Sequence, residues 1–277
     1  MLLMSFGDKS LDLSLPHVMG ILNVTPDSFS DGGVFNSLDS ALRQSEKMIQ
    51  EGASIIDVGG ESTRPGAVSV ATQQEVDRVL PVIDAIKRRF DIIVSVDTST
   101  AEVIRGAADL GAGLINDVRS LEREGALLAA AKTHLPICLM HMKGMPKTMQ
   151  DAPEYVQVVD DVADYLMSRV IACESVGIAR SHLILDPGIG FGKVLSHNLS
   201  LLNHIEKIKK LGFNVLVGLS RKTMIGDVLN LPVEERLYGT MGANASAYSK
   251  GARIFRVHDV GPHVEMLALM SRIEREV

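Results

Sequence analysis

Two cationic side chains near the end of the sequence are spaced as an anion-binding pair would be. Arg256 and His258 lie two residues apart in the short apolar run 253–258. Because alternate side chains of a strand share a face, both can point to the same side of a sheet. A third cation, Lys222, follows another apolar run and is expected to begin a helix, 222–229. A cation there opposes the positive end of the helix dipole, so its position predicts a role in binding an anion or an electron-rich ligand.

Polar residues follow every short apolar run of the chain. The residues at which these runs end are Asn23, Asp57, Asp97, Asn116, Asp117, His141, Asp186, Ser220, Arg221, Lys222, Arg256 and His258. A single Asp or Asn at the end of a strand is commonly the cap of the next helix. A polar residue after every run is better explained by one shared site, and near Asp97 the better candidate for a cap is Ser99.

The apolar runs alternate with helical patterns along the chain. They are rich in β-branched residues and span 17–23, 55–60, 92–98, 114–118, 136–142, 183–186, 215–220 and 253–258. Between them, the stretches 38–51, 74–89, 101–110, 155–176 and 199–211 carry apolar residues at three- and four-residue spacing, which is typical of helices. Alternating strands and helices predict parallel pairing, because each crossover must cover a face of the sheet.

Eight such units predict an α/β fold, a closed (β/α)8 TIM barrel that spans residues 1–277 as a single domain. The length fits, since such barrels take ~250 residues, and their strands deliver all C-terminal ends to one rim. An open doubly wound sheet remains the alternative. Ser99 and Glu102 have the spacing of a capping box, which predicts a helix just after the third run. The segment 234–250 is expected to add a helix before the last strand.

The composition limits the classes of protein to which the chain can belong. The formal net charge is −6, which argues against nucleic acid or an anionic membrane surface as the main partner. No segment reaches ~18 uninterrupted apolar residues and the first residues lack a signal-peptide pattern, so we expect no membrane span and a cytoplasmic location. Cys138 and Cys173 lack metal-ligand spacing and are expected to be buried free thiols.

Two polar, turn-rich loops follow the first and second runs. They span 23–33 and 61–67, and their hydroxyls and charges suit a phosphate-bearing substrate. A glycine-rich stretch at 186–193 lacks both the P-loop pattern and the G-x-G-x-x-G spacing, so it predicts no nucleotide site. No His or Cys cluster has zinc spacing. Hard oxygen ligands near Asn23 would suit Mg²⁺ held largely by water and phosphate.

Two long segments and six short ones carry a resemblance to a known family. The long segments are GILNVTPDSFSDGG at 20–33 and DVGGESTRPG at 57–66. The short ones are 95–98, 115–118, 139–142, 186–193, 218–222 and 256–259. Together they resemble the bacterial dihydropteroate synthases, a family of pterin-binding TIM barrels. The resemblance extends from about His17 to His258.

The resemblance implies a role for each matching residue. The implied catalytic residues are Asp97, Lys222, Arg256 and His258. The implied pterin pocket comprises Asp97, Asn116, Asp186 and Lys222. The implied pyrophosphate site comprises Asn23, Thr63, Arg64, Arg256 and His258, and Asn23 would also contact Mg²⁺. The implied 4-aminobenzoate site comprises Phe29, Thr63, Pro65, Phe191, Lys222 and Thr223, which stands where the family often has serine.

The resemblance also implies a transferase reaction of folate biosynthesis. 6-Hydroxymethyl-7,8-dihydropterin pyrophosphate would condense with 4-aminobenzoate to 7,8-dihydropteroate, with release of pyrophosphate. The partners would be these small molecules and a second copy of the chain, since a homodimer is the family expectation. Phe29, Ser30 and Pro65 match the drug-sensitive pattern, so sulfonamides are expected to inhibit.

Two alternative functions share the pterin pocket. A pterin-binding methyltransferase barrel would need neither the first-loop segment 25–33 nor the pair of Arg256 and His258. A non-catalytic pterin-binding module would be expected to lack a loop residue, yet the loop residues are present. The segment 238–250 departs from the family pattern and is expected to lie on an outer helix, where it would affect packing or dimerisation.

Overall fold

Eight parallel strands form a closed barrel, which an antiparallel hairpin precedes. The computed structural model describes residues 3–25, 33–62, 70–144, 149 and 153–276, with the backbone alone for 33–37. The hairpin strands are β1 (Leu3–Phe6) and β2 (Lys9–Asp12). The barrel strands are β3 (His17–Asn23), β4 (Ile55–Gly59), β5 (Ile93–Asp97), β6 (Leu114–Asp117), β7 (Ile137–Met140), β8 (Leu183–Asp186), β9 (Asn214–Val217) and β10 (Ile254–Val257). They pair in chain order, and β10 pairs with β3 to close the barrel.

Helices follow the strands and cover the outside of the barrel. Within the described residues they are α1 (Gly33–Gln50), α2 (Thr72–Arg89), α3 (Ala101–Asp109), α4 (Ala126–Thr133), α5 (Val158–Ser175), α6 (Leu195–Asn203), α7 (Ile205–Lys209), α8 (Thr223–Leu229), α9 (Leu237–Ser249) and α10 (Val260–Arg275). Short 3-10 turns at Arg180–His182 and Val233–Glu235 precede β8 and α9. None of the described helices is long and apolar enough to cross a bilayer.

The two faces of each strand bury apolar side chains in separate clusters. Outward residues such as Ile56, Val94 and Val215 pack against the helices in one large cluster. Inward residues from the starts of the strands form a second cluster within the barrel. This two-sided burial explains why the strands are short continuous apolar runs without polar alternation at their beginnings.

The hairpin closes the N-terminal end of the barrel. Met4 and Phe6 of β1, together with Leu13, belong to the same internal cluster as the first residues of the barrel strands. Phe6 is fully buried. The packing is close, because a Cβ added to Gly113 would lie 2.7 Å from the carbonyl oxygen of Phe6. The opposite end, where the strands deliver their C-termini, is therefore the one that can be open to a ligand.

The predicted (β/α)8 barrel is confirmed, and the open doubly wound alternative is wrong because β10 closes on β3. The apolar runs match the strands to within a few residues. The pattern gave no sign of the hairpin or of α4. The predicted helix 199–211 is two helices, α6 and α7, and the helix predicted within 234–250 begins only at Leu237. That residues 1–277 form one domain stays a prediction.

The predicted capping box at Ser99 is wrong, although α3 does begin where it was expected. The residue preceding the helix is Thr100, which makes no side-chain cap. The Ser99 hydroxyl instead donates to the carboxylate of Asp117. Asp117 is fully buried, and a buried carboxylate without donors would be costly. The Ser99 hydroxyl therefore serves as a donor to this carboxylate and not as the acceptor that a helix cap requires.

Replacement of Phe6 by alanine should destabilise the barrel by about 3–5 kcal/mol, the usual loss for a buried phenylalanine that leaves a cavity. The matched control is Leu3→Ala in the same strand, since Leu3 is 64 % exposed and should change stability little. Urea denaturation followed by circular dichroism measures both. A loss of stability for Phe6→Ala that is as small as that for Leu3→Ala would show that the hairpin is not part of the core.

Candidate functional site

The open end of the barrel is lined by polar side chains that continue the inward faces of the strands. Side chains two residues apart in a strand share a face. Each inward polar residue lies two or four residues after a member of the internal cluster, and these are Asn23, Asp57, Asp97, Asn116, Asp186 and Arg256. The register aligns Asn23 with Gly59, Gly59 with Asp97, and Asp97 with Asn116. The predicted rim of amides, carboxylates and cations is therefore present in the described residues.

The Arg256 guanidinium bridges two carboxylates inside this rim. Its Nε donates to Oδ2 of Asp57 at 2.6 Å, and its Nη2 donates to Oδ2 of Asp97 at 2.7 Å. Asn116 adds a hydrogen bond from Nδ2 to the same Asp57 oxygen at 3.1 Å. Asp57 belongs to the predicted rim but was given no role of its own, although its inward position follows from the same alternation that applies to Arg256. The bridge leaves Nη1 as the guanidinium nitrogen that the two carboxylates do not use.

Burial and the charges of neighbouring side chains together determine the protonation of Asp97 and Arg256. Burial raises the pKa of Asp97 to about 7, against the opposing effect of Arg256, and the nearby Asp57 carboxylate adds to the increase. Burial alone would lower the pKa of Arg256, but the two carboxylates raise it above its ordinary value. The guanidinium therefore stays charged, while Asp97 changes its protonation near neutral pH.

A second cation faces the barrel mouth from the strand on the other side of Arg256. Nζ of Lys222 lies 4.0 Å from the centroid of the Phe191 ring, within the range of a cation–π contact. Gly190 has a φ of +87°, and a Cβ there would lie 3.0 Å from Cδ of Lys222. Burial lowers the pKa of Lys222 to about 8, with Asp186 opposing the decrease. Phe191 and Lys222 thus form one wall, and their contact with 4-aminobenzoate stays a prediction.

Asp186 lies in the rim next to this wall. It is buried, and its Oδ1 accepts a hydrogen bond from the backbone N–H of Gly188 at 2.7 Å. Burial raises the pKa of Asp186 to about 6, although the Gly188 hydrogen bond and Lys222 act in the opposite direction. One carboxylate oxygen is held by the backbone, so the other is available to accept from a ligand.

The position of Lys222 is fixed by a helix that is distant in sequence. Lys222 is the residue preceding α8 rather than its first helical residue. The Arg236 guanidinium donates to the carbonyls of Arg221 and Lys222 at 3.2 and 3.5 Å. Thr240 of α9 accepts from the backbone N–H of Arg221 at 3.1 Å. The segment 238–250, expected to affect only packing or dimerisation, therefore also contacts the backbone of the site.

His258 is oriented separately from Arg256. Its Nδ1 lies 2.9 Å from the hydroxyl oxygen of Ser220, which also accepts from the His258 backbone N–H at 3.2 Å. The neighbouring Asp259 forms an ion pair with Arg221 at 2.6 Å. The sequence predicted that Arg256 and His258 share a side, and both lie at the mouth, but Arg256 is directed at carboxylates. Sequence reasoning did not assign Ser220 a role.

Several predicted site residues lie outside the described residues. They are Phe29, Thr63, Arg64 and Pro65. The start of the second loop is described at Glu61, whose carboxylate accepts from both terminal nitrogens of Arg119 at 3.0 and 3.3 Å. This pair is nearly buried. Thr223, the remaining predicted contact, is the exposed first residue of α8.

The rim offers a metal ion hard oxygen atoms but no complete ligand set. Among the described residues, no group of three His, Cys, Asp or Glu side chains is arranged to hold a metal. Asn23 is half-buried at the end of β3, with its amide at the mouth. Mg²⁺ commonly keeps several waters and binds through one or two protein oxygens and substrate phosphates. The donors present fit such an ion only when a phosphate-bearing ligand completes its coordination.

The chain is similar to known proteins over nearly its whole length. A model of the family described as pterin binding enzyme matches residues 19–258. The dihydropteroate synthase of Escherichia coli (strain K12) is 56 % identical over 95 % of this chain and 93 % of its own. A solved Yersinia pestis dihydropteroate synthase in a sulfonamide drug complex is 50 % identical, with a TM-score of 0.94 over 99 % of both chains. A Xanthomonas albilineans dihydropteroate synthase with 4-aminobenzoic acid is 43 % identical, with a TM-score of 0.92 over 97 % of both.

Replacement of Arg256 by methionine should destabilise the protein by about 3–5 kcal/mol at pH 8, because it leaves two buried carboxylates without their cation. The loss should shrink at pH 5. Without the guanidinium the pKa of Asp97 rises further above 7, so protonation removes the uncompensated charge as the pH falls. Urea denaturation at both pH values measures the difference. A loss of the same size at both would contradict this account, and Arg88→Met, which removes an exposed ion pair with Asp84, is the control.

Proposed function

The chain belongs to the pterin-binding enzymes and among them to the dihydropteroate synthases, and from this premise we propose how its residues catalyse the family reaction. The reaction joins 6-hydroxymethyl-7,8-dihydropterin pyrophosphate to 4-aminobenzoate. The bond between the exocyclic methylene carbon and the pyrophosphate oxygen breaks, a bond from that carbon to the arylamine nitrogen forms, and the amine loses a proton. The products are 7,8-dihydropteroate and pyrophosphate, so the protein is a transferase.

The observation that carries this function is the polar rim with the aromatic ring of Phe191 beside it. Asp97, Asn116, Asp186 and Lys222 lie together at the open end of the barrel. A pterin ring presents adjacent donors and acceptors on its amino-pyrimidinone edge, which carboxylate, amide and ammonium groups complement. Asp186 accepts from the ring amino group and the neighbouring N–H through the oxygen that Gly188 does not use. Lys222 donates to the ring carbonyl or a ring nitrogen.

The pyrophosphate and the aminobenzoate bind on opposite sides of the reacting carbon. Arg256, His258 and Asn23 contact the pyrophosphate, together with Thr63 and Arg64 of the second loop. Nη1 of Arg256 is the nitrogen that the internal carboxylates leave for this contact.

The aminobenzoate ring packs against hydrophobic side chains, and its carboxylate lies near the beginning of α8. The residues involved are Phe29, Thr63, Pro65, Phe191, Lys222 and Thr223. Support for this binding comes from the Xanthomonas albilineans relative, whose structure contains 4-aminobenzoic acid.

Assistance to the leaving group dominates the mechanism. An arylamine conjugated to a carboxylate-bearing ring is a poor nucleophile, so stabilisation of the departing pyrophosphate is the main requirement. The cations at the mouth serve that purpose in this chain. Asn23 would hold Mg²⁺ together with the substrate, and the ion would supply further positive charge near the leaving group. The electron-rich pterin distributes the positive charge left on the methylene carbon.

Asp97 stabilises this developing positive charge. Asp57 and Asp97 carry two negative charges against the one positive charge of Arg256, so the group below the pterin is net negative when both are ionised. A cation forming above it lowers the pKa of Asp97 from its raised value and favours the ionised carboxylate. Electrostatic stabilisation by groups already in place requires little reorganisation.

The assembly, location and inhibition of the protein complete the proposal. We propose a homodimer and a cytoplasmic location, and the free buried thiols Cys138 and Cys173 fit a reducing compartment. Small molecules, and not nucleic acid or a membrane, are the partners. Inhibition by sulfonamides is supported by the Yersinia pestis relative, which was solved as a sulfonamide drug complex. No observation on the described residues favours the methyltransferase or the non-catalytic alternative.

The direct test is release of pyrophosphate from the protein mixed with Mg²⁺ and both substrates. We expect release only when 4-aminobenzoate is present, with 7,8-dihydropteroate formed in equal amount, as measured by a coupled phosphate assay and chromatography. The control omits 4-aminobenzoate. Folded protein that releases no pyrophosphate above background would refute the proposed function.

Asp97→Asn should lower kcat at least about tenfold, since a charge-assisted contact worth about 1.5–3 kcal/mol is lost. Arg256 keeps its pair with Asp57, so the variant should fold. The KM for 4-aminobenzoate should stay within about twofold, because that substrate binds elsewhere. The exposed Asp109, at the end of the following helix, supplies the control Asp109→Asn. Full turnover by Asp97→Asn would show that the carboxylate has no such role.

A further inference from the structure

A buried lysine that the mechanism does not use lies directly behind the site. Lys193 is 2 % exposed. Its Nζ lies 2.8 Å from the Gly188 carbonyl, 2.9 Å from the Phe191 carbonyl and 2.8 Å from Nδ1 of His141. The His141 carbonyl lies 3.4 Å from the same nitrogen. Burial lowers the pKa of Lys193 well below its ordinary value, and the nearby Asp186 carboxylate opposes the decrease. The three closer acceptors match the three hydrogens of an ammonium group and favour the charged form. Burial lowers the pKa of His141 to about 3, so the imidazole is neutral and its Nδ1 accepts.

We propose that Lys193 is a positioning residue that fixes the loop after β8 against the end of β7, and thereby places Phe191 and Lys222 for substrate binding. This inference rests on the proposed function for its kinetic consequences and on the geometry alone for its structural ones. The sequence showed a glycine-rich stretch at 186–193 that fits no nucleotide site. Its function is to bring a backbone loop close to a neighbouring strand end.

The glycines of this loop are required by that close approach. Gly188 and Gly192 have φ values of +63° and +62°, which favour glycine. A Cβ at Gly188 would lie 1.8 Å from the His141 carbonyl oxygen, and one at Gly192 would lie 2.2 Å from the Lys143 carbonyl oxygen. The loop and the end of β7 are therefore in backbone contact. Lys193 is the donor that joins the two segments, since its Nζ donates to the Gly188 carbonyl at 2.8 Å and to the His141 carbonyl at 3.4 Å.

A second set of hydrogen bonds holds the other side of the loop. The Asn198 side chain accepts from the Gly190 N–H at 2.7 Å and donates to the Lys193 carbonyl at 3.1 Å. The Tyr155 hydroxyl donates to the Gly192 carbonyl at 2.7 Å. These contacts hold the backbone at residues 190, 192 and 193, while the Lys193 ammonium binds the carbonyls of Gly188 and Phe191.

The position of this loop affects the ligand pocket through two adjacent residues, Gly190 and Phe191. The Phe191 carbonyl is bound by Lys193, and the Phe191 ring lies 4.0 Å from Nζ of Lys222. Gly190 contacts the stem of Lys222 on the other side. A loop that moved by about 1 Å would displace both the ring and the ammonium, and a misplacement of that size costs up to about 100-fold in rate.

Hydrogen–deuterium exchange tests the structural part without reference to catalysis. Lys193→Met keeps the apolar stem and removes the donors. We expect exchange of the peptide 187–193 to accelerate at least about tenfold, with the barrel strands unchanged. His141→Leu should act in the same direction, whereas His141→Asn, which keeps an acceptor near the position of Nδ1, should stay closer to the wild type. Unaltered exchange in Lys193→Met, or equal behaviour of the two His141 variants, would overturn the proposal.

A double-mutant cycle tests the functional part. Lys193→Met should lower kcat/KM for 4-aminobenzoate about ten- to a hundredfold, with most of the change in KM. If Lys193 acts through Phe191, the double variant with Phe191→Leu should lose little more than the worse single variant. Additive losses, or a change in thermal stability without a change in KM, would overturn the proposal. The exposed Lys132 supplies the control Lys132→Met. If the wild-type protein releases no pyrophosphate, only the proposed function is refuted. The hydrogen–deuterium exchange experiment tests the role of Lys193 in the loop independently of catalysis.

Discussion

The compensation of two buried carboxylates by one guanidinium is the interaction on which the site depends. Removing a charged group from water costs several kcal/mol, and a buried pair is tolerated only with good geometry and further hydrogen bonds. Arg256 meets both conditions, since separate nitrogens donate to Asp57 and Asp97 and Asn116 donates to the shared Asp57 oxygen. The guanidinium reaches from β10 past β3 to β4 and β5, so it joins strands on both sides of the pair that closes the barrel.

The barrel and the rim could be predicted from the sequence because both follow from local patterns. Short apolar runs that alternate with helical stretches specify parallel strands with both faces covered, and β3 and β8 begin and end where those runs do. The rim follows because the C-terminal ends of parallel strands meet at one edge. Asp97, Asn116 and Asp186 could therefore be assigned to one site from sequence alone. Only the resemblance to a family assigned a pterin to that site.

What the sequence could not predict depends on contacts between distant positions. The expectation that Arg256 binds an external anion gave no sign that it also pairs with carboxylates 199 and 159 residues away in the chain. Thr240 hydrogen-bonds the backbone next to Lys222, and no local pattern in α9 indicates this contact. The hairpin was not predicted for another reason: β2 reads KSLD, so it is not one of the continuous apolar runs by which the barrel strands were recognised. The prediction that Ser99 caps α3 failed because its hydroxyl donates to the buried carboxylate of Asp117.

The charges of the rim are matched to the kind of reaction that the site must assist. In the proposed mechanism the arylamine is a weak nucleophile, so the pyrophosphate departs early. The methylene carbon then becomes positively charged before the amine attacks it. Burial raises the pKa of Asp97 to about 7 even with Arg256 beside it, so before a pterin cation forms the carboxylate is partly protonated at neutral pH. A positive charge that forms on the pterin lowers this pKa, which increases the negative charge beneath it. By the linkage of charge and protonation, the ionised carboxylate stabilises the same cation that favours its ionisation. A buried pair that costs stability in the resting protein thus becomes most favourable at the point in the reaction where charge develops.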